Sequence, residues 1–433
     1  MELDKYSIGI GDRFAQEGVA QLKAVMKAQQ EGVKISPVWN KSNREHLIVK
    51  SIPSDVRKEA DNAVKTLGFS GKYFVDADHI TLDTVTPFVA TADFFTLDIA
   101  SFIGTRLGQG EIEAFVRSCE KYIGTLTIPG IDQPFEITAD LVSDIAGNFY
   151  ASMRQASQIY KFLNYTKGKG NFITEVSMDE VGKPQNPIEL FFILKMLADL
   201  NTPIQTIAPK FTGRFNKGVD YQGDLDQFAK EFEEDILVLD FAIGEFGLPG
   251  ELKLSIHSGS DKFSIYPIIG EIIRKYDKGL HLKTAGTTWL EELVGLASAG
   301  GEALEVVKKI YADGLKHREK LSAPYSDVID IDTDKLPSER AVKGWSSEKF
   351  VNTLRHIQEN PDYNPNFRQL MHISYKIAAE MGASFVSLLQ QHSDIIGACV
   401  EENIFERHIK RLFDDKFQIK NQNRFNTELA RRK

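Results

Sequence analysis

Four residues of this chain are of the kind that hold a divalent metal ion: His79, Glu175, His257 and His281. Each lies on, or directly after, a short apolar run. Imidazole nitrogens and a carboxylate gathered at one mouth suit Zn, Mn, Ni or Co. No CxxC or HExxH spacing accompanies them, so only a fold could bring them together. His281 falls early in its run, which counts against it. Five more of the nine histidines, His46, His317, His356, His392 and His408, sit in loop or helical contexts without a motif.

Carboxylates and cations complete the inventory. Asp78 precedes His79, and Asp179 follows Glu175 by four residues with the same strand parity. An acid or base beside a metal is the usual arrangement for moving protons on a sugar, and either aspartate could serve. Asp179 and Glu180 equally suit the start of the next helix. Arg13, Arg44, Lys210, Arg214, Lys262 and Lys283 fall near run ends and would form a cationic mouth for a carboxylate or phosphate. Ser258-Gly259-Ser260 and Ala285-Gly286-Thr287 occupy two successive turns of the kind that bind anions through backbone N–H groups. Neither is a Walker loop or a dinucleotide fingerprint, so no nucleotide cofactor is expected.

The elements that must position these groups follow one beat. Strands are predicted at Tyr6–Gly11, Lys34–Trp39, Lys72–Val75, Ala92–Leu97, Phe172–Ser177, Pro203–Ala208, Leu252–Ile256 and Leu280–Thr284. Pro37 is awkward within a ladder and predicts a short second strand. Helical spacing fills the intervals, as at Gly18–Gln30, Ser54–Leu67, Pro187–Leu200 and Asp224–Gly244. After the fourth strand, residues of about 101–167 read as a helical insertion with a break near Pro129–Pro134 and no strand. Eight such units imply a parallel α/β sheet closed as a (β/α)8 TIM-type barrel over residues 1–300. Residues 301–433 read as a helical C-terminal extension packed on it. Its helices are expected at Glu302–Leu321, Gln369–Leu389 and Asp394–Phe413, with a loop at Ile357–Arg368 and a solvated tail at Lys416–Lys433.

Composition narrows the partners. The 433 residues are 42% hydrophobic and 26% charged, enough for a large core. A net charge of -9 argues against nucleic acid or an anionic membrane, yet leaves room for a small anion in a basic pocket. Cys119 and Cys399 are too few for a disulfide framework. No apolar run approaches the roughly 20 residues of a membrane span, and no signal-peptide pattern opens the chain. A cytoplasmic protein that could assemble as a homo-oligomer is expected.

The blocks LSIHSGSDKFSIYP and HLKTAGTTWLEEL resemble the signature of the tagaturonate/fructuronate epimerase family, which inverts one carbon of a ketohexuronate. The resemblance extends to GIGDRF, VDADH, ITEVSMDE, KGVDYQGDL and FRQLMHISY. Family members carry a further segment ahead of the first strand, which begins here at Tyr6, so no role of that segment is expected. The resemblance implies a metal-dependent epimerase acting on a sugar acid. The inverted carbon is not adjacent to the ketone, so retro-aldol cleavage through a metal-bound enediolate, then re-addition on the other face, would reach it. A weaker likeness to class II aldolases rests on Asp78-His79 and His257-Ser258-Gly259-Ser260. It implies Asp78 as proton shuttle and His79 and His257 as metal ligands, with Glu175 and His281 completing the set. Asp78, Glu175, Asp179 and Lys283 would then be catalytic, and Arg13, Arg44, Lys210, Arg214, Ser258 and Lys262 would bind substrate. Arg13, Lys210 or Lys283 would hold the substrate carboxylate. His372, in FRQLMHISY, could reach the site from the C-terminal helices, but a packed helix residue is the simpler expectation. A sugar aldolase or isomerase on a related sugar acid, or a uronate-binding barrel without turnover, are the alternatives.

Overall fold

The computed structural model describes residues 1–414 except 106–107, 180, 259 and 285. Ten strands occur among them: β1 Tyr6–Ile10, β2 Ile35–Ser42, β3 Phe74–Ile80, β4 Phe94–Asp98, β5 Gly124–Leu126, β6 Phe135–Ile137, β7 Ile173–Ser177, β8 Thr206–Ala208, β9 Lys253–His257 and β10 Leu280–Lys283. Eight of them close a parallel barrel in the order β1-β10-β9-β8-β7-β4-β3-β2. Helices wrap its outer face, and every residue of β2 and β7 is buried even where it is polar. The fold is the expected TIM-type barrel with an insertion after β4 and a helical C-terminal extension.

Local chemistry explains where the crossover helices start and stop. Ser42 and Glu45 form a reciprocal cap on Asn43–Val49, and Asn186 and Glu189 do the same for Pro187–Asp199. Pro187 occupies a first-turn position where its missing N–H costs nothing. The helix Gly18–Gln30 has the expected limits. No described helix is long and apolar enough to cross a membrane.

Four expectations require correction. Strand β2 is eight residues long and includes Pro37, opposite Ile8 of β1. β3 pairs with β2 only from Val38 onward, so Pro37 lies outside the two-sided part of the ladder. Asp76 to His79 are part of β3 rather than beyond it; the β3–β4 register shifts between Ala77 and Ile80, where His79 adopts a φ of +50°. The insertion holds a small antiparallel hairpin, β5 with β6, and its long helix Ala139–Lys167 acts as the crossover to β7. The extension is more broken than its periodicity suggests. Glu302–Leu321 divides at His317, and the helix Pro365–Ile373 starts inside the expected loop, making Arg368 helical. The expected helix Asp394–Phe413 contains a π-helical stretch, Asn403–Ile409. The tail Lys416–Lys433 lies outside the described residues.

The extension is seated on the barrel's last helix. Ser393–Glu402 crosses Thr287–Ala299 at Gly295, where an added Cβ would sit 2.7 Å from Ile396 Cα. Only glycine permits that approach.

Candidate active site

Lys283 ends β10 and stands at the centre of the barrel mouth. Its register partners are Gly9 on β1 and His257 on β9. A Cβ at Gly9 would fall 2.8 Å from Lys283 Cγ, so this glycine makes room for the lysine side chain. The chain crosses the barrel and places Nζ 2.8 Å from Asp76 Oδ2, 2.7 Å from Asp78 Oδ1 and 3.0 Å from Glu175 Oε1. It also donates to Thr96 Oγ1 at 2.5 Å. Burial works against the ammonium charge, but Asp76, Asp78 and Glu175 overcome it and hold the pKa well above the usual lysine range. The carboxylates respond differently. Burial pushes Asp76 up to about 6 against the pull of Lys283. Burial also opposes ionisation of Asp78 and Glu175. Lys283 with His79, and Lys283 with His257, respectively, nonetheless keep them below the ordinary range.

His257, Asp179 and His79 form a second group above this layer. His257 Nε2 lies 2.8 Å from Glu175 Oε1, and Nδ1 lies 3.1 Å from Asp179 Oδ2. Burial disfavours the imidazolium, yet Asp179 and Glu175 raise its pKa to about 10. Asp179 is correspondingly held far below its usual value despite burial, chiefly by His257. The His79 ring meets the His257 ring edge-on at 5.4 Å.

Each of His79, Asp179 and His257 offers a ligand atom within 4.8 Å of the others'. Two imidazoles and a carboxylate form the donor set of a borderline divalent transition metal. The charge pattern fits too. Asp76, Asp78 and Glu175 face Lys283, and the negative charge of Asp179 and Glu175 is what draws a proton onto His257. Glu175 is fully buried and stands behind His257 in the position of a carboxylate that orients a ligating imidazole.

His281, expected beside these ligands, lies a layer lower. Residues 281 and 283 share a strand face, so His281 points into the packed barrel beneath Lys283. Its Nδ1 sits 2.9 Å from Ser7 Oγ, its ring lies 5.2 Å from Phe94, and burial lowers its pKa to about 3.

A cavity of about 630 Å³ opens above these groups, and Arg13, Arg44, Lys210 and Arg214 are among the residues that line it. Arg13 pairs with Glu45 at 3.2 Å and lies over the Tyr375 ring; Arg214 pairs with Asp330 at 2.7 Å; Lys210 Nζ donates to the Val181 carbonyl. Two expected substrate ligands are turned elsewhere. Ser258 is buried and its hydroxyl donates to the Lys283 carbonyl at 2.7 Å, fixing the end of β10. Lys262, pushed down to about 7 by burial, donates to the Asn216 and Val219 carbonyls at 2.9 and 2.7 Å. Both are therefore loop-holding residues. Glu180, Gly259 and Ala285 lie outside the described residues.

Sequence reasoning passed over Asp76, Thr96 and the partners of Asp261. Asp76 shares strand parity with Asp78 in VDADH, and that signal was present. Asp261 receives Arg368 at 2.7 Å, His356 at 3.2 Å and His408 at 3.1 Å, all from the extension, and no spacing announces that set.

Comparisons with known proteins converge on one family. A family model described as tagaturonate epimerase matches residues 1–412. A tagaturonate/fructuronate epimerase from Thermotoga maritima is 27% identical over 422 residues, spanning 94% of this chain and 80% of that protein. The native crystal structure of the fructuronate-tagaturonate epimerase UxaE from Cohnella laeviribosi superposes with a TM-score of 0.75 at 24% identity, over 95% of this chain and 82% of that one. A one-glycerol complex of that protein gives a TM-score of 0.78 with the same coverage. These two likenesses concern the fold.

Proposed function

From the chain's membership of the tagaturonate epimerase family, which makes it a carbohydrate epimerase, we propose that it interconverts D-tagaturonate and D-fructuronate by metal-dependent retro-aldol cleavage and re-addition. The observation that carries the reading is the cluster around Lys283, with three carboxylates on its ammonium and the His79, Asp179 and His257 group beside it. A divalent metal ion bound by His79, Asp179 and His257 would supply Lewis acidity toward the substrate ketone.

The remaining work falls to side chains of this protein. Arg13 and Lys210 hold the substrate carboxylate. Asp78 takes the proton from the hydroxyl on the carbon to be inverted. The bond from that carbon to the carbon next to the ketone breaks, and its electron pair passes to the ketone side. Two three-carbon fragments result, an enediolate and an aldehyde bearing the carboxylate. The aldehyde turns, the bond reforms on its other face, and Asp78 returns the proton to the new alkoxide, so no atom is gained or lost. Lys283 makes Asp78 able to cycle. When Asp78 is protonated, the ammonium still pairs with Asp76 and Glu175, and the cluster sheds one unit of its excess negative charge.

The deciding experiment is NMR of metal-loaded protein with D-tagaturonate in deuterated water. D-fructuronate without deuterium at the inverted carbon is the expected product. Deuterium there would mean direct proton exchange and would remove the cleavage mechanism. Free three-carbon fragments without epimer would identify an aldolase, and failure with every divalent metal would sink the epimerase reading.

A further inference from the structure

We propose that His372, delivered from the C-terminal extension, is a substrate-contact residue that hydrogen-bonds a hydroxyl of the bound sugar acid and so contributes to substrate selection. The proposal rests on the reading of the cavity as a sugar-acid site.

His372 lines the cavity yet is only 1% exposed, and neither Nδ1 nor Nε2 has a hydrogen-bond partner among the described residues. A buried imidazole with both nitrogens idle is costly, and a phenylalanine or leucine would fill the same space without that penalty. The residue is nonetheless held firmly. One turn before it, Arg368 donates to the Gly218 carbonyl at 2.6 Å, the Leu354 carbonyl at 2.7 Å and Asp261 at 2.7 Å. Trp289 Nε1 donates to the carbonyl of Met371 at 2.9 Å. Gly218, at a φ of +80°, lets its loop pass the ring; a Cβ there would lie 3.4 Å from His372 Cβ.

The electrostatics select the ligand group. Burial, reinforced by Arg13, Lys217, Arg368 and Lys262, keeps the imidazole neutral, with its pKa well below the usual histidine range. A neutral imidazole presents one donor and one acceptor. That pair matches a hydroxyl, which both accepts and donates, whereas the carboxylate has cations nearby to choose from. The inverted configuration of a ketohexuronate is expressed only in the direction of a hydroxyl, so such a contact bears on which epimer is held.

The test is calorimetric titration of D-tagaturonate into metal-loaded wild type, His372→Phe, His372→Leu and His372→Asn, with kcat, KM and thermal unfolding measured on the same samples. Phe and Leu should keep the unfolding temperature and lose at least about tenfold in affinity, the cost of one neutral hydrogen bond to a buried partner. Asn, which keeps a donor and an acceptor, should recover part of the loss. The penalty should persist when salt is raised, because the contact is not ionic. Binding and kcat/KM of Phe or Leu within about twofold of wild type would overturn the proposal, as would a penalty abolished by salt. Should Phe fail to fold, Leu carries the same expectation. Absence of wild-type turnover would count against the epimerase reading alone, since binding is read independently.

Discussion

The imidazole of His257 is gripped from both sides: Nε2 lies 2.8 Å from the fully buried Glu175 carboxylate and Nδ1 lies 3.1 Å from Asp179. Two acids on one ring fix its orientation and determine what it must give up before it can ligate. The acid at Nε2 stays with the ring, and the one at Nδ1 shares the face that His79 also lines.

Metal affinity should therefore rise with pH. The His257 pKa is raised to about 10, so at neutral pH its imidazolium must lose a proton before it ligates. One displaced proton gives about a tenfold gain in affinity per pH unit below that pKa. Titration of Mn in buffers of different ionisation enthalpy counts the protons released, and a pH-independent affinity would contradict the arrangement. Glu175→Gln should weaken metal binding by about 10- to 100-fold.

Replacing Lys283 by Met should damage both activity and stability. Three buried carboxylates would lose their shared cation, which costs on the order of 3–5 kcal/mol for a broken buried pair. Turnover should fall by at least about 10²-fold as Asp78 loses its partner. Chemical unfolding and steady-state rates on metal-loaded protein check the two effects separately.

Lys210→Met should raise KM for the sugar acid by about tenfold or more, the cost of a hydrogen bond to a charged group, with kcat changed much less. Equal falls in kcat and kcat/KM would instead assign Lys210 to the chemical step.

Glu17 provides a pH signature remote from catalysis. Burial, then the charge of Asp12, raises its pKa from 4.5 to about 8. The folded state therefore keeps a proton that the unfolded state releases between those values. The stabilisation is complete below about pH 4.5 and is lost as pH rises through about 8. Glu17→Gln should match wild type near the lower limit and exceed it by on the order of 5 kcal/mol above the upper one. Urea unfolding at both ends of the range measures this, and a pH-independent difference would refute it.

Much of this architecture is legible in the chain because the barrel repeats one local rule. Helix Gly18–Gln30 and strand Ile173–Ser177 follow from periodicity and flanking glycines alone. The hairpin β5–β6 escapes because two three-residue strands are shorter than any window in which alternation can be counted. The candidate site divides the same way. His79, Asp179 and His257 are visible as polar residues at run ends. The grip of Lys283 on Asp78 joins residues 205 positions apart, and only barrel closure brings them together. Strand parity separates His281 from Lys283 by one layer, but counting that layer requires the register against Ser7. His372 looks like a packed residue because helical spacing records that a face is covered, not whether it is covered by protein or by a cavity.

The pairing of β1 with β10 has a consequence for synthesis. Ser7 waits for His281, 274 residues later in the chain, before the ring can close. At about 5–20 residues per second, the first strand leaves the ribosome roughly 14–55 s ahead of the partner that covers its open edge. Throughout that interval the nascent chain carries an unpaired apolar edge, the kind of surface that holdase chaperones shield and that other growing chains can capture.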